Sequence, residues 1–167
     1  DAFAAIMGNI DYQRDIIDLG AFKKTLAERK GKIRVLDNHN RNSVRDVVGT
    51  LLVAKEVGRD QLPARVKQAY PNATGGLFTS VQYLLGTPEG KGVYDRIKAG
   101  AIDEYSFGYD PIQAEEDTVK RDDEEINVRR LKELRLWEIS PVIFAANPAT
   151  TTVNAKAERP YSVFKED

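Results

Sequence analysis

The sequence contains no cysteine, and this absence removes several kinds of chemistry. The chain cannot form disulfides, use a thiolate as a nucleophile or bind zinc through cysteine. The sequence also lacks an apolar run of roughly 20 residues, so we predict no membrane-spanning helix. The 25 basic and 26 acidic residues almost cancel, which gives no electrostatic reason to expect binding to nucleic acid or to a membrane. We therefore expect a protein or a small molecule as the partner.

The length and composition of the chain favour one globular domain. Its 167 residues are 41% hydrophobic and 31% charged, a balance that supports a core without covalent cross-links. The residues from 151 onward carry few apolar side chains. We therefore predict a single domain over residues 1–150 and a C-terminal tail over residues 151–167.

Hydrophobic patterning predicts a mainly β protein with a few helices (α+β). Apolar alternation and β-branched residues indicate strands at 2–9, 33–39, 47–58, 77–85, 101–112 and 128–144. Amphipathic patterns that end at glycine indicate helices at 21–30 and 88–99. Residues 59–76 are typical of a long loop that could hold a short helix, and 113–127 are typical of a hairpin tip or a mobile loop. Since strands and helices do not alternate regularly, we predict a closed or nearly closed antiparallel β-barrel with short helices packed outside.

The chain has a single histidine, His39. It lies at the predicted end of a strand, within LDNHN, where a side chain can reach a cleft while its backbone stays anchored. An isolated histidine is more often structural than catalytic. His39 therefore becomes informative only together with other residues.

Alternation along the last strand places Glu138 on the same face as Leu134 and Leu136. If that face is buried, the carboxylate must find a hydrogen-bonding partner or take up a proton, because desolvation of a charge is costly. Two other interpretations stay open. Glu138 could pair with a nearby arginine, or the opposite face, with Trp137 and Ile139, could be the buried one.

Ser106 lies between aromatic residues in DEYSFGYDP. Most serines in such a setting are small residues with a satisfied hydroxyl. A nucleophilic serine needs a base that takes its proton and a third group that orients that base. His39 and Glu138 would supply these two groups, and Gly108 would leave the strand face open for a substrate backbone.

Four segments of the chain resemble, in order, the motifs of the tailed-phage prohead (procapsid) maturation serine proteases. The segments are DYQRDIIDLGAF, VLDNHN followed by VVGTLL, GLFTSVQYLLGTPEGKGVYDRIKAGAIDEYSFGY, and LKELRLWEISPVIFAANPAT. The resemblance covers about residues 11–150, and several motifs in the right order are far more specific than one. That family is related in fold to the herpesvirus capsid-assembly proteases (assemblins), which implies a β-barrel surrounded by helices.

The resemblance also implies roles for individual residues. It makes Ser106, the serine of SFGY, the nucleophile, and His39 the general base. Glu138 matches the acidic residue that would orient His39. Asp37 and Asp15 are the competing candidates for that third position.

The turn FAANP, which follows the Glu138 strand, is a candidate oxyanion site. It could offer a backbone N–H at Ala146 or the side-chain amide of Asn147. Arg129 and Arg130 are weaker choices. The turn could equally serve only to end the strand.

By resemblance the protein is a serine endopeptidase that acts inside the assembling procapsid, in the host cytoplasm. It would cleave the scaffolding region of the major capsid protein and also itself, with neither a metal nor an organic cofactor. A homo-oligomer is expected, and a dimer is one form it could take. The alternative is a non-catalytic capsid-assembly or scaffold-binding domain with the same fold, for which the charged segment 115–125 and the tail are suited.

Overall fold

The computed structural model describes residues 1–155, and strands dominate them. The strands are β1 (Ala2–Met7), β2 (Asp15–Ile17), β3 (Arg34–Leu36), β4 (Val47–Gly58), β5 (Gly75–Tyr83), β6 (Glu104–Arg121), β7 (Glu124–Val142) and β8 (Thr151–Thr152). The helices are α1 (Lys23–Glu28), α2 (Ala64–Ala69) and α3 (Pro88–Lys98), with 3-10 turns at Val44–Asp46 and Arg59–Gln61. The mainly β class with short helices is therefore confirmed. No helix in this part of the chain has the length and apolar character needed to cross a bilayer.

All eight strands belong to one sheet of mixed orientation. The order is β2-β7-β3-β4-β5-β1-β8, and β6 pairs with β7 outside this path. The expectation of a purely antiparallel arrangement is wrong, because β2 and β3 both run parallel to β7. The strand ladders within residues 1–155 do not form a closed ring, so a barrel is not confirmed. Parallel pairs join strands distant in sequence, and alternation patterns carry no signal for them.

Several local predictions are confirmed by the structure. Strand β4 has the predicted bounds. Helix α3 begins after Thr87, whose hydroxyl accepts a hydrogen bond from the Gly90 N–H at 3.1 Å, as an N-cap does. Past its end, Gly100 has a φ of +73°, a conformation that glycine adopts at low cost. The segment 59–76, predicted as a long loop that could hold a short helix, does contain the short helix α2, and its last two residues begin β5.

The long β6–β7 hairpin carries the charged segment away from the core. Its turn lies at Asp122 and Asp123, which both have positive φ, so 113–127 is a hairpin tip and not a loop without regular structure. Strand β8 pairs with Ala2 and Phe3 of β1 and lies in the segment predicted as a tail. Residues 156–167 of that predicted tail lie outside the described residues.

A β-bulge interrupts β7 at Trp137. Tyr109 of β6 lies opposite Leu136, while the preceding residue Gly108 lies opposite Glu138. Trp137 is therefore the extra residue on β7, and 41% of it is exposed. Such a bulge shifts which side chains face each side of the sheet.

Because of this bulge, the side chains of the last strand do not share faces as the sequence predicted. Leu136 is buried in the core as expected, but Ile139 is in the same hydrophobic cluster, so the core face continues through Ile139. Glu138 and Ser140 do not continue it. They face the other side of the sheet, with Ser140 directly opposite Ser106 on β6, because residues paired across strands share a face.

Candidate active site

His39 lies in a tight turn and not, as predicted, on an extended strand. Strand β3 ends at Leu36, and Asn38 and His39 follow with φ of 48° and 63°. This left-handed conformation is uncommon for residues other than glycine. Two hydrogen bonds to β7 hold it: the Asn38 N–H donates to the Pro141 carbonyl at 3.2 Å, and the His39 N–H donates to Ser140 Oγ at 3.1 Å.

The His39 side chain meets the carboxylate of Glu138. His39 Nδ1 lies 2.5 Å from Glu138 Oε1, and Ser140 Oγ donates to Glu138 Oε2, also at 2.5 Å. Glu138 is only 8% exposed, so the buried carboxylate does find partners, as the sequence required. A carboxylate accepts hydrogen bonds, so Nδ1 is assigned the proton and Nε2 keeps a free lone pair.

The competing carboxylates are placed elsewhere. Asp15 is buried, and its carboxylate accepts hydrogen bonds from Nε and Nη2 of Arg129, at 2.9 and 2.6 Å. It also accepts a hydrogen bond from the Tyr109 hydroxyl at 3.2 Å. Burial and the neighbouring Asp15 raise the pKa of Tyr109 to about 12, so this hydroxyl stays protonated as a donor. In residues 1–155, no hydrogen bond joins the Asp37 carboxylate to His39.

Ser106 borders the same small cavity as His39. The cavity has a volume of about 160 Å³, and Ala146 and Asn147 also line it. No hydrogen bond joins Ser106 to His39 among the described residues. In unliganded sites such bonds are often long and form only with substrate present, so the shared cavity is the relevant observation.

Gly108 has a different role from the one predicted. A Cβ at this position would lie 2.6 Å from Glu138 Oε1 and 3.1 Å from its Cγ. The missing side chain therefore makes room for the carboxylate that contacts His39. The sequence-based prediction assigned that space to a substrate backbone.

The turn after β7 contains two different kinds of donor. The Asn147 amide is already committed: Nδ2 donates to the Ile6 carbonyl at 3.0 Å and to Asn9 Oδ1 at 3.2 Å. Ala146 accepts the Tyr12 N–H at its carbonyl, and its own N–H makes no hydrogen bond within residues 1–155. Of the two predicted donors, only this N–H has no hydrogen-bond partner among the described residues.

Neither arginine suggested for the oxyanion lines this cavity. Arg129 is paired with Asp15. Arg130 donates to Asp117 at 2.5 Å and to Asp18 at 3.0 Å. Both guanidinium groups are therefore bound in ion pairs on the sheet.

Sequence reasoning missed Ser140. This residue is completely buried, and its hydroxyl joins the His39 backbone to the Glu138 side chain. Its only sequence signal is its position two residues after Glu138 in LWEIS, where alternation on a strand places both on one face. Its function follows from the bulge, which no local pattern reveals.

A serine and a histidine at one cavity, with a buried carboxylate behind the imidazole, are the residues that serine peptidases use. No group of three or more metal-binding side chains (His, Cys, Asp or Glu) occurs in the described part of the chain. The family model described as caudovirus prohead serine protease matches residues 1–163. The chain belongs to this family, so the resemblance is confirmed.

Family membership supports a phage capsid-maturation protease. It implies capsid proteins as substrates and action within the assembling procapsid in the host. A search of the curated proteins and a search of the solved structures found no match.

Proposed function

We propose that the protein is a serine endopeptidase with the triad Ser106, His39 and Glu138. The observation that carries this proposal is the 2.5 Å contact between His39 Nδ1 and Glu138 Oε1. It leaves Nε2 as the proton acceptor at the cavity that Ser106 borders. This is the tautomer that general-base catalysis requires.

Each residue has one role in the reaction. Ser106 Oγ attacks the scissile carbonyl as its proton moves to His39 Nε2. His39 then gives that proton to the leaving amine, and a water molecule repeats the sequence to release the acyl group. Glu138 stabilises the imidazolium, and Ser140 fixes both the carboxylate and the backbone of the histidine turn.

The Ala146 N–H is the favoured oxyanion donor in this mechanism. It belongs to a residue that lines the cavity and has no hydrogen-bond partner within residues 1–155, and preorganised backbone donors stabilise the developing charge. We assign Asn147 a positioning role, since its amide fastens the turn to β1 and to Asn9. The chemistry uses side chains and backbone of the chain alone and needs no cofactor.

The substrate we propose is the scaffolding region of the major capsid protein, with self-cleavage as a second reaction. The catalytic unit is a single domain of residues 1–150 together with β8, which pairs with β1, and the enzyme works as a homo-oligomer, for instance a dimer.

The experiment that tests this function is co-expression with the capsid protein. Wild-type protein should shorten the capsid protein on a denaturing gel, and Ser106→Ala should not. Thr118→Ala, on the exposed hairpin, is the control and should cleave normally. Undiminished cleavage by folded Ser106→Ala would refute the assignment of Ser106.

The second candidate is a non-catalytic capsid-assembly domain, and the extended charged hairpin favours it. A serine-directed fluorophosphonate distinguishes the two functions. Labelling that disappears in Ser106→Ala and in His39→Ala establishes an activated serine. A protein that binds capsid protein but never reacts with the probe, even when assembled with it, supports the binding domain.

A further inference from the structure

We propose that Asp11 selects a basic side chain, lysine above arginine, in the substrate residue next to the scissile bond. This specificity rests on the proposed peptidase function of Ser106. The side chain would enter the cavity that Ser106 and His39 share with Asp11. Nothing in the triad chemistry requires a carboxylate at this place.

Asp11 has a free carboxylate oxygen. Its Oδ1 accepts the backbone N–H groups of Gln13 and Asp15, at 2.8 and 2.9 Å. Its Oδ2 makes no hydrogen bond or ion pair among the described residues. The turn therefore uses one oxygen and leaves the other available at the cavity.

Arg129 forms its ion pair with Asp15 and not with Asp11. Arg129 donates both ends of its guanidinium to Asp15, which also accepts the Tyr109 hydroxyl. Burial is the main cause that raises the pKa of Asp11, and the charge of Asp15 adds to it. A partly desolvated carboxylate without an ion-pair partner is unfavourable, so a cation that enters the cavity gains an interaction that the protein lacks.

The rest of the cavity suits the stem of a long side chain. Its lining is partly polar but includes the apolar and aromatic residues Ala4, Ile17, Phe107, Tyr109 and Leu131. A volume of about 160 Å³ is close to that of a protein cavity that holds benzene, on the order of six non-hydrogen atoms. A lysine side chain has about five such atoms, with an apolar stem and a charged end, whereas arginine is larger.

The simplest alternative is that Asp11 only shapes its turn. That role explains the contacts of Oδ1 and predicts no effect on substrate choice. Asp11→Asn separates the two roles, because asparagine keeps the Oδ1 acceptor and removes the charge. Asp123→Asn, at the exposed hairpin turn, is the matched control.

The experiment compares peptides that differ only in the residue before the scissile bond: lysine, arginine, glutamine or glutamate. A second series places these residues after the bond. For wild type we expect kcat/KM in one series to be about tenfold to hundredfold higher for lysine than for glutamine, the range of a charge-assisted hydrogen bond. Asp11→Asn should lower kcat/KM for the lysine peptide more than for the glutamine peptide, so that the ratio of the two rates falls towards one.

Three results would overturn the specificity proposal. They are equal rates on lysine and glutamine peptides in both series, a lysine preference that Asp11→Asn retains, or an equal loss on all peptides. Fluorophosphonate labelling of Ser106 in the same samples keeps this failure distinct from failure of the peptidase function. If no peptide is cleaved, peptide binding is measured by fluorescence anisotropy with two inactive proteins, Ser106→Ala alone and Ser106→Ala combined with Asp11→Asn. The preference for lysine then appears as a difference in peptide affinity between these two proteins.

The pH dependence offers an independent readout. The charged or titratable groups around Asp11 are Asp15, Arg129, Tyr109 and His39. His39 acts on every substrate alike, so the ratio of lysine to glutamine rates reports on Asp11. We expect this ratio to fall as the pH drops through a pKa above 3.8, because the protonated carboxyl no longer attracts lysine. If the ratio of lysine to glutamine rates stays constant as the pH drops through this pKa, the proposal is contradicted.

Discussion

Replacing Glu138 by glutamine tests the orientation of His39 most directly. The change keeps the shape of the side chain and removes its charge. Because Ser140 Oγ accepts the His39 N–H, its own proton is donated to Glu138 Oε2. In the variant the amide oxygen should keep this bond, so the amide NH₂ would face His39 Nδ1. His39 would then carry its proton on Nε2 and could not act as a base.

The size of the effect follows from these contacts. The opposite amide orientation restores the correct tautomer but loses the Ser140 bond, which costs about 1 kcal/mol, or roughly a factor of five in population. A neutral amide also stabilises imidazolium less than a carboxylate does, by about 1–2 kcal/mol, or roughly tenfold. These two terms set a loss of at least about 50-fold, and the wrong tautomer alone can cost about 10⁴-fold. We therefore expect a loss between about 50-fold and about 10⁴-fold.

The assay is kcat/KM on a fluorogenic peptide taken from the scaffolding region of the capsid protein, with Ser106→Ala as the baseline. Thermal unfolding should show a change of no more than about 1 kcal/mol, because burying an amide is no harder than burying a carboxylate. A folded Glu138→Gln variant that keeps its rate within a few-fold of wild type would refute the role of Glu138 in the triad.

Three further changes have defined outcomes. Gly108→Ala should lower kcat at least tenfold with little change in peptide binding, since the new Cβ would displace Glu138 Oε1; normal kcat contradicts this reading. Arg129→Ala leaves the buried Asp15 without its ion pair, and urea denaturation should show a loss of about 2–4 kcal/mol, less than for a fully buried pair because Arg129 is 40% exposed. Thr87→Ala removes the cap on Gly90 and should cost about 1 kcal/mol with unchanged activity; an unchanged melting curve would show that the cap contributes nothing.

Local signals explain which parts of the fold could be predicted. The start of α3 was predictable because Thr87, Pro88 and Glu89 act within one turn of the chain. The bounds of β4 followed from its own residues. The parallel pairing of β2 and β3 with β7 was not predictable in this way, since it depends on contacts between residues about 100 positions apart.

The same distinction between local signals and contacts of distant residues applies to the candidate site. The cost of a buried carboxylate required a partner for Glu138, and the structure supplies His39. The face on which Glu138 lies could not be predicted, because the bulge at Trp137 changes it. Ser106 stood out through a family resemblance and through the need of a serine for a base, because its own neighbours in sequence say little about it.

Two departures from regular backbone and one missing side chain bring the candidate site together, and each depends on the others. The bulge turns Glu138 away from the core, the missing side chain at Gly108 gives its carboxylate room, and the left-handed turn brings His39 to it. A residue in a strained conformation costs on the order of 1–3 kcal/mol and persists only where its surroundings enforce it. Here Ser140 supplies that enforcement, since one hydroxyl binds the backbone of the turn and the carboxylate on the bulged strand. Since a regular strand pair would place the carboxylate on the core face, the irregular backbone is a requirement of the site.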